Sequence, residues 1–237
     1  MGSAVLLVAA AATGGRPRLC PHCLAAAAML SLHLSLWLES LRYASVAAST
    51  GIVVFYPALA GLAEAAKGAP GTGRRLAAAL LAASGVVLLS TPWAGATLLG
   101  ALLAFLAAVA AAAYMLIGRR LRAAGMSAAE YAASVYTTAA LIQSAMLLAA
   151  GTNPLNIPRR SILYLLGLGL GPMALGHTML NYALGYYPAS TVGSVALLEP
   201  YGAMLLEWLL SGTPPPIGAL PGVALSVAGA WLSLRSR

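Results

Sequence analysis

The chain has 237 residues, of which 61% are hydrophobic and 8% are charged, and its mean hydropathy is +0.88. Soluble domains are about 45–50% apolar and about 25% charged, so this composition excludes an ordinary soluble domain. Thirteen Lys and Arg residues against five Glu residues give a net charge of +8. In a membrane protein such an excess orients the chain. We therefore expect the lipid bilayer as a partner and no nucleic acid.

Apolar runs separated by Gly, Pro and basic residues predict an all-α chain that crosses the membrane several times. A spanning helix needs roughly 20 residues, and eight runs are long enough. A shorter apolar run at 4–13 opens the chain, and we interpret it as a partial helix of the folded protein because no basic region precedes it, as one would in a signal peptide. The predicted full spans are 22–43, 45–66, 75–91, 93–117, 130–150, 161–185, 189–210 and 217–234.

The basic residues predict how these spans are oriented. If the spans alternate, ten of the thirteen Lys and Arg residues lie in one compartment. Only Arg42, Arg159 and Arg160 lie in the other. Basic residues in short loops stay on the cytoplasmic side. The sequence therefore predicts a multi-pass protein of the cell membrane with a cytoplasmic C-terminus.

Residues of the first half recur in the second half at a constant distance. The differences 186 − 43, 200 − 57 and 207 − 64 all equal 143. The pairs are Tyr43 and Tyr186, Pro57 and Pro200, and Glu64 and Glu207. An odd number of predicted spans separates the partners, so two repeats, 1–92 and 93–237, have opposite orientation. Inverted repeats are typical of secondary transporters, whose substrate site lies near the membrane midplane.

The paired prolines and glutamates are candidates for helix breaks and gates. Pro57 and Pro200 lie near the centres of their spans, where each frees a backbone carbonyl one turn earlier. The alternative for each proline is a simple packing kink. Glu64 and Glu207 are symmetric and could gate the transporter, but interfacial placement is the alternative. For Glu64 that alternative includes an ion pair with Lys67 at i+3.

Three stretches carry a resemblance to a known family. They are 116–121, 176–184 and 189–200, and the last ends in the pair Glu199–Pro200. The chain resembles an EamA-type member of the drug/metabolite transporter superfamily. That resemblance implies ten helices in two inverted halves, cytoplasmic termini and a central substrate cavity. The first half would begin near residue −50 (93 − 143), so we expect an EamA-like fold that lacks the first helix, either because the reading frame is longer or because the first half is reduced.

Glu199 is the leading candidate for chemistry. It lies about ten residues into its predicted span, where an ionised side chain is costly unless it is paired or hydrated. Such a residue is a candidate substrate, ion or proton site. The alternative is a permanently protonated carboxyl that forms a hydrogen bond to a neighbouring helix.

Polar and aromatic residues at helical spacing extend the candidate substrate site. His177 and Asn181 are four residues apart and share a helix face, with Tyr182 adjacent. His33 and Trp37 repeat this spacing in the first half. Such groups would suit a polar or zwitterionic metabolite. Hydrogen bonding between helices is the alternative.

Cys20 and Cys23 form a CxxC motif. A zinc site needs about four ligands, and the chain offers these two cysteines and three dispersed histidines, so we expect no metal. At the cytoplasmic edge of the membrane we expect the two thiols to stay reduced. An integral-membrane thiol oxidoreductase that uses this pair is nevertheless the alternative function.

These observations together favour a secondary transporter that works by alternating access and not an enzyme. We expect it to move a small polar metabolite, such as an amino acid or a related compound, and proton coupling through Glu199 is a hypothesis. The sequence contains no phosphate-binding Gly-rich loop with Lys, so nothing indicates that the chain itself uses ATP. We also expect no cofactor. A homodimer stays open as an oligomeric state.

Overall fold

The computed structural model describes residues 2–12, 14–89, 96–153, 157–212, 214 and 217–236. The described residues form helices joined by turns, apart from one isolated β-bridge between Ala44 and Ala96. The helices are α1 Gly2–Ala12, α2 Pro21–Ser40, α3 Val46–Val53, α4 Tyr56–Ala66, α5 Thr72–Leu89, α6 Leu98–Ala123, α7 Ala128–Ala149, α8 Ile162–Leu168, α9 Thr178–Ala183, α10 Ala189–Ala196, α11 Glu199–Ser211 and α12 Leu220–Leu234. A π-helix, Gly169–His177, connects α8 to α9.

Six helical stretches of the described part are long and apolar enough to cross a membrane. This makes the chain a multi-pass membrane protein. Each of the eight predicted spans contains helix. Six of them correspond to these stretches, and the other two correspond to α5 and to the pair α10–α11. The six stretches are Pro21–Ser40, Ala48–Ala66, Leu98–Ala123, Ala128–Ala149, Ile162–Ala183 and Ile217–Leu234.

The first compact unit, unit 1, consists of Met1–Leu32 and Ala113–Tyr187. The short helix α1 packs inside this unit against α7 and the π-helix. A Cβ added to Gly169 would lie 2.7 Å from the side chain of Val8, so the glycine allows the π-helix to approach α1 closely. The opening apolar run is thus a packed helix of unit 1.

The second compact unit, unit 2, consists of His33–Ala112 and Pro188–Arg237. Its helices α5 and α12 lie backbone to backbone, because a Cβ on Gly222 would come within 2.6 Å of the Gly85 carbonyl oxygen. Small residues permit this close approach of membrane helices. The unit limits fall inside α2 and α6 and do not follow the repeats 1–92 and 93–237, which stay a prediction.

Candidate functional site

Two helices of unit 2 are interrupted at equivalent positions. Helix α3 ends at Val53 and α4 begins at Tyr56, while α10 ends at Ala196 and α11 begins at Glu199. Helix α10 begins and ends 143 residues after α3 begins and ends, as in 196 − 53. Helix α11 likewise begins 143 residues after α4 begins (199 − 56). The interruptions therefore have the same register as the sequence repeat.

Proline explains why both helices break where they do. Pro57 and Pro200 each lie in the first turn of the helix that follows the break. Proline has no N–H, so the carbonyls of Val53 and Ala196, four residues earlier, lack their usual intrahelical donor. The first helical turn tolerates proline because its N–H groups have no intrahelical acceptor. Each break thus combines a freed carbonyl with a new helix N-terminus.

The first broken helix packs against the second inside unit 2. The Tyr56 hydroxyl donates a hydrogen bond of 3.3 Å to the carbonyl of Gly193 in α10. A Cβ on Gly193 would lie 2.9 Å from the Tyr56 ring and 3.0 Å from Pro57. Glycine is needed here because any larger residue would push α4 away from α10. The two interrupted helices therefore contact each other close to their breaks.

Glu199 is the first residue of α11, and it is exposed. It follows Ala189, the start of α10, by ten residues, which corresponds to about 15 Å of helix. This distance is about half of the ~30 Å hydrocarbon thickness. If the predicted span begins at Ala189, an exposed carboxyl at that depth would need water, a ligand or a polar partner in place of lipid.

Glu64 lies in a buried ion pair, and its partner differs from the predicted one. Its Oε2 atom accepts a hydrogen bond of 2.5 Å from the Ser190 hydroxyl and lies 3.6 Å from Nε of Arg75. Glu64 is 8% exposed and Arg75 is 5% exposed, whereas Lys67 is exposed. The predicted ion pair with Lys67 is wrong, because Glu64 faces α5 and α10 in the interior of unit 2. The side chain of Glu207 lies outside the described part of the structure.

Arg75 also holds two backbone segments. Its Nη1 atom donates hydrogen bonds to the carbonyls of Pro70, at 2.8 Å, and Ser236, at 3.3 Å. The guanidinium therefore joins α4, the turn before α5 and the end of the chain.

His33 and Trp37 form an aromatic pair on α2 within unit 2. Their rings are nearly parallel, with centroids 6.4 Å apart. The His33 Nδ1–H group donates to the Ala107 carbonyl at 3.0 Å, which anchors the imidazole on α6. The indole Nε1–H of Trp37 is buried and has no acceptor among the described residues.

Asn181 lies at the centre of a buried polar cluster in unit 1. Its Oδ1 atom accepts a hydrogen bond of 2.9 Å from the Tyr114 hydroxyl, and its Nδ2 atom donates one of 3.0 Å to the Tyr136 hydroxyl. The ring of Tyr131 stacks on that of Tyr114 at 6.3 Å. Asn181 is fully buried, so its amide faces α6 and α7.

The other two predicted site residues of unit 1 are more accessible than Asn181. His177 is the last residue of the π-helix and is half-buried. Tyr182 is exposed, and its ring lies 5.1 Å from that of Tyr186. π-Helices occur frequently at functional sites, so His177 remains a candidate substrate-site residue.

Two arginines that served above only to predict the orientation of the spans form hydrogen bonds with the C-terminal end of α9. The Nε atom of Arg122 donates to the Asn181 carbonyl at 2.8 Å, and Nη1 of Arg119 donates to the Leu184 carbonyl at the same distance. Basic side chains stabilise helix C-termini by binding the last carbonyls. Short-range residue spacing in the sequence cannot predict these contacts, because the partners lie about sixty residues apart in the chain.

The structure thus divides the predicted site residues between the two units. Unit 1 holds His177, Asn181 and Tyr182. Unit 2 holds the proline breaks, the aromatic pair on α2 and the three candidate glutamates. These predicted site residues of unit 2 are His33, Trp37, Pro57, Glu64, Glu199, Pro200 and Glu207.

Cys20 and Cys23 are joined in a disulfide. The expectation that the two thiols stay reduced is therefore wrong for this structure, since the start of α2 brings the two sulfurs together. Among the described residues, no three His, Cys, Asp or Glu side chains are grouped as they would be around a metal ion.

Comparison with known proteins identifies the family of the chain. Residues 98–235, more than half of the chain, match the EamA-like transporter family. A solved crystal structure of another protein has a similar fold, with a TM-score of 0.80 and 21% sequence identity. The alignment covers 98% of this chain and 86% of that one. No curated protein matches the sequence.

Proposed function

The chain belongs to the EamA-like transporter family, and we propose that it is a secondary transporter that moves a small polar metabolite, such as an amino acid or a related compound, across the cell membrane by alternating access. The family is one of membrane transporters and not of enzymes, so a small-molecule substrate follows from membership. The mechanism and the substrate class rest on the geometry of unit 2.

The observation that carries the proposal is the pair of equivalent helix breaks. A continuous helix satisfies all its backbone groups internally, so unsatisfied backbone at membrane depth is tolerated where protein buries it or where it lines a cavity. Here two breaks occur 143 residues apart (197 − 54), in helices that contact each other. Discontinuous helices in inverted repeats are typical of transporter substrate sites.

The breaks also favour a zwitterionic substrate. The ends of α3 and α10 offer the freed carbonyls of Val53 and Ala196, which suit an ammonium group. The starts of α4 and α11 are helix N-termini, which favour a carboxylate. One break therefore provides both kinds of partner within a few residues. The buried indole N–H of Trp37 is a further donor in unit 2, and we propose it and His33 as substrate contacts.

In unit 1 we propose His177 and Tyr182 as substrate contacts. His177 lies at the end of a π-helix, and Tyr182 is exposed, which supports this assignment. Asn181 instead has a positioning role in this proposal, because both ends of its amide are bound by tyrosines.

Proton coupling is assigned to Glu199. This carboxyl is exposed, directly follows the second break and lies near the predicted midplane. A carboxyl that is protonated in one conformation and ionised in the other would couple proton movement to substrate movement.

Reconstituted vesicles test this proposal. We expect purified protein to take up labelled amino acids against their gradient when a pH gradient is imposed. Glu199→Gln should lose this accumulation but keep exchange of substrate at equal concentrations, because exchange needs no net proton movement. The matched control is Glu39→Gln, since Glu39 is partly exposed and paired with Arg42 at the end of α2.

Two results would contradict the proposal. Unchanged pH-driven accumulation by the Glu199 variant would remove this residue from coupling. Failure of every polar or zwitterionic metabolite to exchange, with a folded protein in the vesicles, would remove the substrate class.

We also propose the orientation in which the C-terminus is cytoplasmic. The ten-to-three distribution of basic residues supports it. A reporter that is active only in the cytoplasm, fused after Arg237, should be active. A reporter that requires export should be inactive, and the reverse pattern would overturn the orientation.

A further inference from the structure

The Cys20–Cys23 disulfide lies at the N-terminus of α2. Cys20 directly precedes the helix, and Cys23 belongs to its first turn. The backbone N–H of Cys23 donates to Sγ of Cys20 at 3.0 Å. Cys20 is half-buried, whereas Cys23 is 1% exposed. Only the first of the two sulfurs is therefore accessible to a reactant in solution.

The surroundings of this pair are electropositive. Arg16 and Arg18 are both exposed and lie within four residues of Cys20, and Arg18 is also paired with Glu130. The N-terminus of α2 adds its own partial positive charge. Helix N-termini and neighbouring cations stabilise the thiolate form of cysteine, which is the form that takes part in disulfide exchange.

The segment that leads to Cys20 is held by unit 1 without help from the disulfide. The backbone N–H of Arg18 donates to the Ser134 hydroxyl at 2.8 Å, and its guanidinium lies 3.7 Å from Glu130. Gly15 lies directly against the backbone of Ala129. The disulfide itself joins residues only three apart and links no distant parts of the chain. A role as a structural cross-link is therefore unsupported.

We propose that Cys20 and Cys23 form a thiol–disulfide exchange site for small thiols of the glutathione class. In the orientation proposed above, the disulfide lies at the cytoplasmic membrane edge and meets a reducing thiol pool, and cytosolic disulfides are usually transient and either catalytic or redox-sensing. Cys20 is the sulfur that exchanges, and Cys23 is the buried resolving partner. This site is independent of the transport function.

The chemistry balances with two molecules of thiol. A thiolate attacks Sγ of Cys20, the bond between the two cysteines breaks, and Cys23 leaves as a thiolate that takes up a proton. A second thiol attacks the sulfur of the bound thiol, which releases the small-molecule disulfide and the Cys20 thiol. The protein disulfide gains two electrons, and the two thiols lose them. Oxidised small thiol runs the same steps in reverse.

The test uses the full chain in detergent micelles with glutathione and its disulfide as the probe. We expect the pair to change between disulfide and dithiol reversibly as the glutathione ratio changes, measured by alkylation and intact mass. Cys23→Ser should form a glutathione adduct at Cys20 roughly ten times faster than Cys20→Ser forms one at Cys23, because burial shields the second sulfur. Both variants in denaturant should react at similar rates, which is the control for accessibility.

Two outcomes would overturn the proposal. One is a disulfide that persists in excess reduced glutathione while the protein elutes as a folded species. The other is equal adduct formation at the two cysteines in the folded variants. Neither readout depends on transport, so the failure of this site and the failure of the transport proposal are distinguishable.

Discussion

The buried ion pair between Glu64 and Arg75 gives the sharpest prediction about stability. Arg75→Met removes the cation and leaves the Glu64 carboxylate buried beside Ser190. At an effective dielectric constant of ~20, two unit charges 3.6 Å apart attract each other by roughly 4–5 kcal/mol. Removing one partner of a buried pair typically costs about 3–5 kcal/mol. We therefore expect Arg75→Met to lower the free energy of unfolding by about 4 kcal/mol.

The double variant separates the ion pair from simple loss of packing. Glu64→Gln in the Arg75→Met background removes the unpaired charge, while the amide oxygen can still accept from Ser190. A buried pair replaced by neutral groups is often close to neutral in stability. We expect the second substitution to restore about 2 kcal/mol or more. Denaturant unfolding in detergent micelles measures the four members of this cycle.

A surface pair supplies the matched control. Arg42 and Glu39 also form an ion pair, but their side chains are 71% and 43% exposed. Arg42→Met should cost about 0–1 kcal/mol, as exposed pairs usually do. Lys67→Met should be equally mild, because Lys67 is exposed and Glu64 is paired elsewhere. Equal losses at the buried and the surface arginines, or strict additivity in the cycle, would refute the reasoning.

Three further substitutions test packing, the polar cluster and the helix break. Gly85→Ala should destabilise the protein by about 1–3 kcal/mol, because its Cβ would meet the α12 backbone. Gly73→Ala in the same helix meets open space, so it should be neutral or stabilising by up to about 1 kcal/mol. Thermal unfolding in detergent compares the two variants. Tyr114→Phe should cost about 0.5–1.5 kcal/mol in the same assay, the range for a hydrogen bond between membrane helices. Pro200→Ala should raise the melting temperature and slow vesicle transport, because the carbonyl four residues earlier regains its donor.

The helices and their breaks could be predicted because their causes are local. Apolar runs of about twenty residues predict spans without knowledge of neighbours. Pro57 and Pro200 lack an N–H in any surroundings, and the structure interrupts both helices directly before them. The sequence therefore pointed to the region of both interruptions, although it did not give the two-residue turns themselves.

The partners of buried polar groups could not be predicted from local spacing. Glu64 pairs with Arg75 and with Ser190, which lies 126 residues away in the chain. A rule based on i+3 spacing selects Lys67 instead. Asn181 likewise looks like a ligand residue on a polar stripe, but tyrosines of two other helices bind its amide. Such contacts depend on which helices pack together, and hydropathy does not contain that information.

The two glutamates at equivalent repeat positions differ in the basic residues that follow them in the chain. Glu64 is held by Arg75 at the start of α5. Residues 208–234, which follow Glu207, contain no Lys or Arg. The stretch that follows Glu207 therefore offers no counterpart of Arg75. The equivalence of the two glutamates in register therefore does not extend to the basic residue that follows Glu64.

The hydroxyl partner of Glu64 is also absent from the other repeat. Ser190 donates to the Glu64 carboxylate, and the position equivalent to it (190 − 143 = 47) is Ala47. In the predicted inverted orientation the two glutamates lie toward opposite membrane surfaces. In that orientation the buried network of Glu64, Arg75 and Ser190 lies toward the cytoplasmic end of unit 2. In the proposed alternating-access cycle, opening at the cytoplasmic end would therefore have to disturb this ion pair or carry it along as a unit.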